Sequence, residues 1–149
     1  MRRILHYRKV LGVNENAELG ELKTVYRNLM KDWHPDKFQD NPDGKLEAEE
    51  KSKKIIEAYH FLVSIAPETR TRTLDVYTET ITNAGIVDFE YKSELLSISF
   101  SDGSVYEYYG VPKAVYVKLI NAETPARFAR RHIYQEYIYR STSKLVATT

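Results

Sequence analysis

Trp33-His34-Pro35-Asp36-Lys37 closes a run in which Leu22, Val25, Tyr26, Leu29, Met30 and Trp33 recur at spacings of three and four. That recurrence puts the apolar side chains on one side of a helix. The ring of Pro35 disfavours helical geometry at His34, so the helix stops there. Upstream lie Tyr7 and Val10-Leu11-Gly12-Val13, with a short helix expected around His6 to Lys9. Downstream, Asp36 to Lys45 is polar and holds Asn41-Pro42-Asp43-Gly44, which reads as a loop. Another helix is expected from about Leu46, presenting Ile55, Ile56, Tyr59, Leu62 and Val63 and stopping near Ala66-Pro67. Two helices joined by about a dozen polar residues pack antiparallel. Residues 1–70 are therefore expected to form an all-α antiparallel helical hairpin.

After Arg70 the pattern changes to alternation. Val87, Phe89 and Tyr91 fall on one strand face, Leu96, Ile98 and Phe100 on another, and Tyr106 and Tyr108 on the face opposite Val105 and Tyr109. Ser101-Asp102-Gly103-Ser104 carries the Asp-Gly signal of a tight hairpin turn. Gly110-Val111-Pro112 opens a helix lined by Val115 and Leu119, a further short helix runs from Pro125 to Arg131, and Tyr134, Tyr137 and Tyr139 suggest a last extended piece. The expected chain is thus multidomain. A helical module over 1–70 precedes a linker over 71–79, a small α+β module with an antiparallel sheet over 80–140 and a flexible tail over 141–149.

The bulk numbers agree with two small domains, since 149 residues are available and single domains mostly run to roughly 50–200 residues. With no cysteine, disulfides, thiol catalysis and cysteine-built metal sites are excluded. No stretch has the roughly 18 apolar residues of a membrane helix, so a cytoplasmic protein without membrane contact is expected. The formal net charge is +1. It conceals a division, because residues 71–112 hold two basic and seven acidic side chains while 113–149 hold seven basic and two acidic.

The constellation Tyr7, Val10-Leu11-Gly12-Val13, Val25-Tyr26-Arg27, Leu29, Trp33-His34-Pro35-Asp36-Lys37 and Glu57-Ala58-Tyr59 resembles the DnaJ-type J domain over about residues 4–70. The resemblance implies a co-chaperone that binds a DnaK-class heat-shock chaperone and stimulates its ATP hydrolysis, itself catalysing nothing. It assigns Tyr26 and Arg27 to the docking face, and His34, Pro35 and Asp36 to the signalling tripeptide. The residues agree in kind: Lys23, Arg27 and Lys31 are spaced four apart, a basic stripe that can steer toward an acidic surface. Thr24, Asn28 and Asp32 depart from positions often basic in the family, and Ser52 stands where the third helix usually carries Phe, a gap that Phe38 would fill in part only if it turns inward, which the sequence of a loop does not decide.

From about Gly85 to Tyr137, Ser104-Val105-Tyr106-Glu107-Tyr108, Gly110-Val111-Pro112, Val115-Tyr116, Leu119, Ala122 and Phe128 are similar to the KTSC domain, for which RNA binding is the usual suggestion. Glu123-Thr124-Pro125-Ala126 departs from its pattern. A candidate single-stranded RNA surface would use Tyr106 and Tyr108 for stacking, with Lys113, Lys118, Arg127, Arg130 and Arg131 on phosphates. Alternatively the tyrosines pack beneath the following helix, and the module's target is a protein. Ser93-Glu94, Ser101-Asp102 and the pair Asp88 and Glu90 make no catalytic constellation, and no metal or cofactor is implied. The leading function is a J-domain co-chaperone with the C-terminal module as its targeting half. The alternative is an RNA- or translation-associated protein with a secondary or inactive J domain.

Overall fold

The computed structural model describes residues 2–142, which divide into two compact units, Arg2–Arg70 and one beginning at Thr71.

The first unit is helical. It contains α1 (Arg2–Leu11), α2 (Leu19–Trp33), a 3₁₀ turn (Pro35–Phe38), α3 (Pro42–Ile65) and the start of α4 (Pro67–Arg72). Leu19 meets Glu68, Tyr26 meets Tyr59 and Trp33 meets Lys51, so α2 runs antiparallel to the chain from α3 to α4. The core joins Ile4, Tyr7 and Leu11 of α1 and Leu22 of α2 to Ile55, Ala58, Phe61, Leu62 and Ile65 of α3. Tyr7 lies with its ring centroid 4.7 Å from that of Phe61 and donates its hydroxyl to Glu57 Oε1 at 2.5 Å. α1 is longer than the short helix expected around His6 to Lys9. α3 also starts earlier than Leu46, at Pro42, because Asn41 caps it by accepting from the Gly44 N–H at 3.1 Å. Proline in the first turn loses no helical hydrogen bond, so Asn41-Pro42 is a helix start within the segment expected to be a loop.

The second unit contains α5 (Leu74–Asn83), β1 (Ile86–Lys92), β2 (Leu95–Phe100), β3 (Val105–Tyr109), α6 (Lys113–Asn121), α7 (Pro125–His132) and β4 (Ile138–Ser141). The four strands form one antiparallel sheet in chain order. The expected linker over 71–79 is corrected: most of it is helical, and Tyr77, Thr80 and Ile81 of α5 are buried in this unit. Thr71, Thr73 and Thr78 of that segment are exposed, whereas Thr80 of α5 is buried. Of the expected tail over 141–149, Ser141 is in β4 and the Thr142 N–H donates to the Val105 carbonyl at 2.9 Å, so these two residues belong to the sheet edge; the rest lies outside the described residues.

Leu96, Ile98 and Phe100 are buried, as their alternation predicts. Val87 is not on the core face. A register shift between Ile86 and Asp88 turns Ile86, Phe89 and Tyr91 toward the core and leaves Val87 68% exposed. Ser93 and Glu94 are the two-residue connection between β1 and β2, both with left-handed backbone, at φ 50° and 66°. This is the type I′ geometry that suits the twist of a hairpin, here without its customary glycine. In the next turn Asp102 accepts from the Ser104 N–H at 2.9 Å and the Thr80 hydroxyl at 2.8 Å. Partial burial acts to raise its pKa, but these hydrogen bonds outweigh it and hold the carboxyl below its usual value.

Candidate functional site

The end of α2 is built by the proline that stops it. His34 has the extended backbone that Pro35 demands, with ψ 130°, while its N–H still donates to the Met30 carbonyl at 2.9 Å. Its carbonyl accepts from the Lys37 N–H at 3.0 Å, closing the 3₁₀ turn. Nδ1 accepts from the Asp36 N–H at 3.2 Å, which leaves the proton of the neutral ring on Nε2. The Asp36 carboxylate lies 3.6 Å from the same Nδ1, a contact that becomes an ion pair only if that nitrogen is protonated and gives up the amide. Both side chains are exposed, His34 by 51% and Asp36 by 79%, so the tripeptide presents a donor and a carboxylate to a partner.

The last turn of α2 is locked from behind. The Trp33 ring is parallel to that of Phe38 within 17°, and Lys51 Nζ sits 3.7 Å from the Trp33 ring centre. Phe38 is half-buried and also approaches Gly44, where an added Cβ would come within 3.0 Å of its ring. Ser52 is buried and donates to the Glu49 carbonyl at 3.1 Å. Phe38 thus packs against Trp33 and the first turn of α3. Lys51 was not singled out in the sequence, because a lysine on an exposed helix carries no signal of the ring it covers.

Lys23, Arg27 and Lys31 are all exposed on α2. Tyr26 is set apart from them, half-buried and stacked on Tyr59 at 4.2 Å and 17°. It fixes the helix that carries the basic face. Thr24, Asn28 and Asp32 are exposed on the same helix.

In the second unit Tyr106 and Tyr108 are 4% and 0% exposed. Their assignment as stacking platforms is corrected, because a base needs an open ring face and these rings pack in the core with Tyr77, Tyr134 and Tyr139. Tyr77 donates to the Tyr134 carbonyl at 2.7 Å, and its hydroxyl lies 2.9 Å from that of Tyr108. Burial raises the pKa of Tyr77 and Tyr108 far above the phenol range and pushes Tyr134 up to about 12. Lys113 and Lys118 on α6 and Arg127, Arg130 and Arg131 on α7 are exposed. Of these, only Arg127 and Arg131 line one groove, together with Glu123, Thr124, Phe128 and His132.

Two family models match these two segments: the DnaJ domain at residues 6–72 and the KTSC domain at residues 82–137. The chain thus carries a DnaJ domain followed by a KTSC domain. Among curated proteins, the chaperone protein DnaJ of Thermoplasma volcanium is 46% identical over 83 residues, covering 56% of this chain and 19% of that protein. DnaJ homolog subfamily B member 6 of Xenopus tropicalis is 48% identical over 59 residues, 40% of this chain and 23% of its own length. The chain thus spans only about a fifth of the length of these relatives. No helix of the described residues is long and apolar enough to cross a membrane.

Proposed function

We propose that the chain is a J-domain co-chaperone that docks on a DnaK-class heat-shock chaperone and stimulates its ATP hydrolysis, with the C-terminal module as the targeting half. The similarity of the helical unit to DnaJ proteins supports a co-chaperone role. The observation that carries the finer reading is the exposed His34-Pro35-Asp36 turn at the end of a helix bearing Lys23, Arg27 and Lys31. The cations steer an acidic surface toward α2, Tyr26 holds the helix against α3, and Pro35 aims His34 and Asp36 past its end. In this reading the ATPase is the partner's.

Docking is tested by association kinetics with the chaperone at several salt concentrations. Replacing Lys23, Arg27 and Lys31 together by alanine is expected to slow association and flatten its salt dependence, since exposed charges act chiefly on the encounter. An association rate unchanged by the triple substitution would contradict docking through this face.

A further inference from the structure

The three arginines of α7 are not equivalent. Arg127 and Arg131, one helical turn apart, line a groove of about 360 Å³, whereas Arg130 is absent from its lining. Phe128 and His132 form the aromatic wall of the groove, with ring centroids 4.7 Å apart. Thr124 makes no side-chain capping bond to α7, and Glu123 completes the lining. Among the described residues neither Arg127 nor Arg131 is paired with a carboxylate.

We propose that this groove binds one nucleotide phosphate, clamped by Arg127 and Arg131, with its base against His132. Two guanidinium groups on one helix face can converge on the oxygens of one phosphate in charge-assisted hydrogen bonds. The exposed imidazole gives a planar ring for a base to stack on. The volume is at the low end of small-ligand sites, roughly 300–1,000 Å³, which suits a single nucleotide. Glu123 is the one carboxylate of the lining; it repels the phosphate and accepts from ribose hydroxyls or an exocyclic amine. The same chemistry is offered by a free mononucleotide and by one nucleotide of an RNA strand. The proposal extends the targeting role given above to the C-terminal module and rests on that reading for its use in the cell. Its test does not pass through the chaperone, so either can fail alone.

The full chain, labelled with ¹⁵N and ¹³C, is titrated with adenosine monophosphate, inorganic phosphate, sulfate and a short oligoribonucleotide while amide and aromatic resonances are followed. Adenosine monophosphate is expected to saturate shifts at Thr124, Phe128 and His132. Arg127→Ala and Arg131→Ala should each weaken it about tenfold or more, the size of a lost charge-assisted contact, and Arg130→Ala less than twofold. His132→Ala should weaken the nucleotide while leaving inorganic phosphate unchanged. Tighter binding of the oligoribonucleotide through the same residues identifies an RNA strand as the source, and equal affinity identifies the free nucleotide; both support the site. Absence of saturation, equal losses from Arg130→Ala and Arg131→Ala, or binding of sulfate as tight as that of the nucleotide would overturn it.

Discussion

Tyr77 has one hydroxyl proton and gives it to the Tyr134 carbonyl, so in its contact with Tyr108 it is the acceptor. Tyr77→Phe keeps the ring that stacks on Tyr139 at 3.8 Å but leaves a buried carbonyl and a buried hydroxyl without their partner. Such orphaned groups cost about 1–3 kcal/mol, and urea unfolding should show that loss in the second unit. At the hairpin tip the expected sign is opposite. Glu94 has φ 66°, and Glu94→Gly removes a left-handed penalty of about 1 kcal/mol, less the entropy of a glycine, so the melting temperature should rise. Residues differ in how plainly their sequence spoke. His34-Pro35-Asp36 was legible because proline dictates its neighbour's backbone. Ser93-Glu94 was not, because neither residue advertises a left-handed turn. Tyr106 and Tyr108 have the same alternation whether a sheet face is open or covered, and only the helices packed on it decide.

Among the elements, α5 lies in the segment expected to be a linker. Its apolar residues are few, yet Tyr77 and Ile81 enter the core of the second unit while Leu74 and Val76 stay exposed. The KTSC match begins at residue 82 and so omits both core residues. Losing a buried large side chain costs about 2–5 kcal/mol, and a domain has only about 5–15 kcal/mol in all. A fragment of residues 71–149 is therefore expected to give native near-ultraviolet dichroism, and one of 82–149 to lose it; equal spectra would place α5 outside the core. The tyrosines that meet α5 also set an alkaline limit. Unfolded tyrosines lose their protons near pH 10, whereas Tyr77, Tyr106, Tyr108 and Tyr134 are held protonated above that by burial. Above about pH 10 the native state binds more protons than the unfolded one, so stability falls as pH rises. The urea midpoint should decline from pH 9.5 to 11.5; a flat midpoint would contradict the burial of these phenols.

At the scale of the whole chain, the helical period before Pro67 and the strand alternation after Gly85 already indicated two architectures, and helices continue through the segment between them. What the alternation could not supply was the groove on α7, since Arg127, Arg130 and Arg131 look alike in sequence and only their directions separate them. The central claim concerns the first unit. It is tested most directly by single-turnover hydrolysis of ATP preloaded on a DnaK-class chaperone, measured alone, with the full chain and with its His34→Gln variant. The account predicts a severalfold faster turnover with the wild-type chain and a rate near that of the chaperone alone with the variant. Equal rates in all three reactions would contradict it.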